Sequence, residues 1–103
     1  MGKRRVVVTG IGAITPIGNT FEEYKSSLKK GESGCKMIES FDASNFKTRF
    51  ACEVKNYDPL NFFDRKESRK MDIFAQFGMI AADEAVKDSK ILDFNIDKDN
   101  IGV

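Results

Sequence analysis

Histidine is absent from the 103 residues, and so is tryptophan. Without an imidazole, the chain cannot by itself assemble a Ser-His-Asp or Cys-His nucleophile, and it lacks the commonest zinc ligand. Cysteine is scarce. Cys35 and Cys52 are too few for a disulfide framework and show no Cys-x-x-Cys spacing, so the thiols are expected to be reduced. Neither charge sign is in excess. Seventeen Lys and Arg face sixteen Asp and Glu, a net charge of +1, which excludes a strongly basic nucleic-acid binder. No apolar run approaches the roughly 18 residues that a spanning helix needs. Lys3, Arg4 and Arg5 precede Val6, Val7 and Val8 as in an export signal. Thr9, Gly10, Gly12, Thr15 and Pro16 break that stretch, and no small-residue cleavage site follows. A cytoplasmic protein with no membrane partner and no nucleic-acid partner is expected.

What the chain does contain is the composition of a folded protein, with 41% hydrophobic and 32% charged residues. Arg4 to Thr9 reads as a strand. Its continuous valines suit a parallel strand covered on both faces. Gly10, Gly12, Pro16 and Gly18 make a turn-rich loop. Asn19 or Thr20 caps a helix with Glu22 and Glu23 in its first turn, lysines near its end, and a stop at Gly31. Residues 32 to 49 read mostly as loop. Phe50, Cys52 and Val54 alternate as a short strand, which makes Cys52 a buried small hydrophobe and leaves Cys35 exposed in a Gly/Ser loop. Asp58-Pro59 signals a helix start.

A second, longer helix is expected from Asp64 or Ser68 to about Ser89, with a capping box over Asp64–Glu67. Its apolar residues from Met71 to Val86 are not confined to one stripe, and such a helix belongs inside a protein. Asn100 to Val103 reads as the start of another strand. A doubly covered strand and a helix apolar on several sides need more layers than 103 residues supply. The expectation is the N-terminal part of a larger α/β protein, cut inside a strand. The alternative is a small domain that dimerises over the helix.

Two groups invite a functional reading. Gly10-Ile11-Gly12 follows a strand like a dinucleotide fingerprint, but the third glycine position is Thr15, with Pro16 behind it. A close-packed backbone connection is the preferred reading. Lys66, Arg69 and Lys70 fall at i, i+3 and i+4, one face of a helix, within a stretch of four cations against one carboxylate. Cations at a helix N-terminus oppose its dipole by about 0.3–1 kcal/mol each, and an anionic partner reverses that sign. This points to a docking patch for an acidic protein or a phosphate group.

Taken together, Arg4-Arg5-Val6-Val7-Val8-Thr9-Gly10-Ile11-Gly12-Ala13-Ile14-Thr15-Pro16-Ile17-Gly18-Asn19 resembles the opening of the β-ketoacyl-[acyl-carrier-protein] synthases. Gly31-x-x-Gly34, Phe41-Asp42, Phe50-Ala51-x-x-Val54 and Asp64-Arg65-Lys66-x-x-Arg69-Lys70-Met71-Asp72 follow in the family's order. The resemblance implies a thiolase-like fold of αβαβα layers, a homodimer, and acyl carrier protein as partner. It implies a decarboxylating Claisen condensation in fatty-acid biosynthesis, run on a cysteine thiolate with two histidines and no cofactor or metal. None of those catalytic residues is carried by this chain, so Cys35 and Cys52 are not assigned as the nucleophile and the chain alone is expected to be inactive. What carries over is Lys66, Arg69 and Lys70, matching the family's basic carrier-docking patch. Rival readings are a non-catalytic chain-length-factor subunit of a polyketide synthase, a small module docking an acidic partner through the same three cations, and, third, a nicotinamide-binding domain.

Overall fold

The computed structural model describes residues 2–103. Helix α1 spans Phe21–Lys30. Thr20 sits at its N-cap in extended backbone, and its hydroxyl accepts the Glu23 N–H at 3.2 Å. The Glu23 carboxylate reaches back to the Asn19 N–H at 2.8 Å, so two donors at the helix entry are satisfied by one local exchange. At the other end Gly31 adopts φ 70°, and the N–H groups of Gly31 and Glu32 close onto the carbonyls of Leu28 and Ser27. A left-handed residue here favours glycine because it has no Cβ to clash. Both boundaries fall where the sequence places them.

Strand β1 (Cys35–Met37) pairs antiparallel with β2 (Phe50–Cys52), Cys35 opposite Cys52 and Met37 opposite Phe50. β2 is the expected strand. β1 lies inside the stretch read as loop, because three residues are too short for periodicity to register. Cys52 is exposed, not buried as expected, since no layer covers that face of the two-stranded ribbon among the described residues. Cys35 is exposed, as expected.

Asp58 caps a single 3-10 turn, Pro59–Asn61, its carboxylate accepting the Leu60 N–H at 2.9 Å. The expected long second helix is two helices. α2 covers only Arg65–Ser68 and α3 runs Ile73–Ser89, with Asp72 at its N-cap in extended backbone. α3 ends at Lys90, which takes φ 54°.

Neither terminal strand forms. Residues 4 to 9 have no ladder partner among the described residues, and Val6, Val7 and Val8 are exposed. Lys98–Asn100 is a 3-10 turn, and residues 101–103 continue without a strand. A strand exists only as a pair, and the described residues hold no neighbour for these segments.

The same shortage of neighbours governs packing. A folded protein of this mass is expected to expose about 5,800 Å². This chain exposes 8992 Å². Its radius of gyration is 17.7 Å, against about 13 Å for a compact domain of similar length. Among the described residues only Ala43 and Ile80 are buried hydrophobics. Phe74 is 76% exposed and Met79 57% exposed, on opposite sides of α3. The helix is apolar on several faces, as the sequence indicates, while the rest of the chain covers one.

Candidate functional site

The basic group sits on α2 and the turn that follows it. Asp64 starts the turn, its carboxylate accepting the Glu67 N–H at 2.7 Å. Lys66 lies inside the four-residue helix, Arg69 forms its C-cap, and the Lys70 N–H closes onto the Glu67 carbonyl at 3.0 Å. All three side chains are exposed, and none makes an ion pair among the described residues. The three cations share one short exposed segment, but only Lys66 lies within a helix, so the single helix face expected of them is reduced to one turn and the residues after it. No long-helix dipole opposes these charges: Lys66 is in a single helical turn, and Arg69 and Lys70 follow its end, where cations are not opposed.

What holds this turn is a residue the sequence reading passed over. Gln76 is only 3% exposed. Its Nε2 donates to the carbonyls of Ser68 and Met71, each at 3.0 Å. Its Oε1 accepts the Tyr57 hydroxyl. One amide from the start of α3 thus ties the last residue of α2 to the linker at Met71, bracketing Arg69 and Lys70. Tyr57 is held in turn by the Phe77 ring, edge-on at 4.9 Å, and by the stacked Phe62 ring at 6.1 Å. Burial, and then the neighbouring Asp58 charge, push the Tyr57 phenol above its ordinary range, so it stays a donor to Gln76. The available sequence signal was Asp72, an N-cap residue type directly ahead of the apolar run.

The glycine loop is a second centre. A Cβ at Gly12 would lie 1.8 Å from the Ala81 carbonyl oxygen, and one at Gly10 would lie 2.4 Å from that of Ala85. The loop backbone rests directly on α3, which is the close-packed connection expected. Two of its N–H groups, and the first of α1, are held by carboxylates. Asp88 accepts from the Ile11 N–H at 3.0 Å, and Glu84 from the N–H groups of Ala13 at 2.9 Å and Phe21 at 2.8 Å. In a dinucleotide site such N–H groups face a pyrophosphate. Here two anionic side chains occupy them, which argues against the nicotinamide reading. Glu84 and Asp88 were not singled out from sequence, because their partners lie 63 to 77 residues away.

Residues 3–103 match the family described as "Beta-ketoacyl synthase, N-terminal domain". The chain belongs to that family. It is 48% identical over 101 residues to a 3-oxoacyl-[acyl-carrier-protein] synthase 2 of Synechocystis sp., a match covering 98% of this chain and 24% of that protein. It is 51% identical over 89 residues to the Vibrio harveyi protein of the same name, covering 86% and 21%. Among solved structures it resembles the ishigamide ketosynthase/chain length factor, with a TM-score of 0.76 and 35% identity over 98% of this chain and 24% of that one. The chain thus spans about a quarter of the length of the relatives it matches.

Proposed function

We propose that this chain is the N-terminal part of the first thiolase-like domain of a 3-oxoacyl-ACP synthase. The complete enzyme elongates acyl chains by condensing an acyl-enzyme with malonyl-ACP, with loss of carbon dioxide. Lys66, Arg69 and Lys70 receive the acidic carrier protein. The nucleophile and its histidines are supplied by parts of the enzyme outside these residues, so the chain alone is inactive. The exposed sides of α3 and the valine segment pack against further layers of the αβαβα fold, and two complete subunits form a homodimer in the cytoplasm.

The observation that carries this reading is the basic turn itself. Three exposed, unpaired cations stand on a segment locked by a buried amide. A turn already fixed presents these charges with little ordering cost on docking. Each exposed pair with the carrier contributes about 0.2–1 kcal/mol, and the larger effect is on association rate. The structural likeness to a chain length factor complex supports the non-catalytic alternative less well, because its identity of 35% lies below the 48% to the Synechocystis synthase.

The test is charge reversal at Lys66, Arg69 and Lys70 together in the complete synthase. Transfer from acyl-ACP should fall and lose its salt dependence, while transfer from a small thioester such as acyl-CoA should not change. An equal response of both donors would remove the docking role.

A further inference from the structure

Two thiols that lie far apart in sequence meet across the β1–β2 ribbon. Cys35 is the direct partner of Cys52. Residues directly opposed in a ladder project from the same face. The kind of pairing matters as much as the register. The Ile38 N–H donates to the Arg49 carbonyl at 2.9 Å, so residues 38 and 49 are a hydrogen-bonded pair. Pair types alternate along an antiparallel ladder, which makes Cys35 and Cys52, three steps on, a non-hydrogen-bonded pair. The Cys35 N–H accordingly turns aside to the Ser33 hydroxyl, at 3.2 Å. Non-hydrogen-bonded pairs bring their Cα atoms to about 4.5 Å, inside the span of about 4.4–6.8 Å that a disulfide bridges.

The register is clamped on both flanks. Lys55 donates its ammonium to the Gly34 carbonyl at 2.9 Å. The Glu53 carboxylate accepts the Glu39 N–H at 3.0 Å and the Ser40 hydroxyl. A slip of one residue would send the two thiols to opposite faces, and these contacts oppose it. Both cysteines are free and exposed.

We propose that Cys35 and Cys52 are a peroxide-sensitive dithiol that closes into a cross-strand disulfide. One thiolate attacks the hydroperoxide, breaks its O–O bond and becomes a sulfenic acid, releasing hydroxide or an alkoxide that is protonated to water or alcohol. The second thiol attacks the sulfenic sulfur, the S–S bond forms, and water leaves. Two electrons pass from the thiols to the peroxide. The bridge closes the loop that carries Phe41 and Phe46, whose rings meet edge-on at 5.8 Å.

The complete protein is treated with hydrogen peroxide at low protein concentration, blocked with iodoacetamide and digested with trypsin. The peptides Gly31–Lys36 and Phe50–Lys55 should appear joined, and a phosphine reductant should separate them. Joining should run roughly tenfold faster in the folded protein than in urea, because the ladder supplies the effective concentration. Equal rates in urea would overturn the proposal, as would sulfenic or sulfinic acids at separate cysteines without a link, or links only between chains. Cys35→Ser and Cys52→Ser should each leave a sulfenic acid that dimedone traps. The peptide map of the unaltered chain decides the matter if either variant fails to fold.

Discussion

Replacing Gln76 with alanine should unlock the basic turn without touching a charge. The side chain is nearly fully buried, and its amide makes three hydrogen bonds, to the carbonyls of Ser68 and Met71 and from the Tyr57 hydroxyl. At about 1 kcal/mol for each bond lost, the local clamp weakens by about 3 kcal/mol. That raises the open population of the 65–72 segment roughly a hundredfold. Trypsin reads this directly, because Arg65, Lys66, Arg69 and Lys70 are its own cleavage sites and all are exposed. When reclosing is faster than cleavage, the rate follows the open population. Initial cleavage within the segment should therefore accelerate by roughly the same factor in the Gln76→Ala protein. Gln76→Glu separates bonding from volume. It keeps the size and the acceptor for Tyr57 but removes both donors, so it should also open the turn. A change of less than roughly twofold in both variants would show that the linker is held by something other than this amide.

Three further outcomes are expected. Gly12→Ala should destabilise the complete protein by about 3 kcal/mol or more, read by thermal unfolding, since the new Cβ meets the backbone of Ala81 at 1.8 Å. Glu84→Gln leaves one acceptor oxygen for two N–H groups, and should cost about 1–3 kcal/mol, with faster hydrogen exchange at Ala13 and Phe21. The Ser40 hydroxyl, and after it the Glu39 N–H, hold the Glu53 carboxyl below its ordinary value. A lowered folded pKa gives stability that is present above the unfolded value and lost as pH falls through the folded one. Protection of the Glu39 amide, taken relative to its intrinsic exchange rate, should thus be lost only below the ordinary carboxylate range, and Glu53→Gln should remove that pH dependence.

Local chemistry wrote several features plainly into the sequence. Thr20 and Gly31 bound α1 because a capping hydroxyl and a left-handed glycine act within one turn of their own positions. Asp64 and Asp58 cap their turns for the same reason. Gly10 and Gly12 marked a close backbone approach before its partner was known. Lys66, Arg69 and Lys70 stand on one short segment because they are close in sequence, although only Lys66 lies within a helix. The family pattern was equally legible, being an order of residues along the chain.

Other features depend on what lies opposite. The valines of residues 6 to 8 have strand chemistry, but a ladder needs a second strand, and among the described residues none is beside them. Across the break between α2 and α3, the Gln76 amide takes the carbonyls of Ser68 and Met71, contacts that no periodicity encodes. Cys52 alternates like a core residue yet is exposed, because burial belongs to the layer above a strand and not to the strand. Its position opposite Cys35 is likewise a matter of register, fixed by Lys55 and Glu53 reaching across the ribbon. Capping and turn chemistry act over three or four residues and can be read in order; pairing, burial and clamping join residues up to 77 apart, and only the folded chain brings those together.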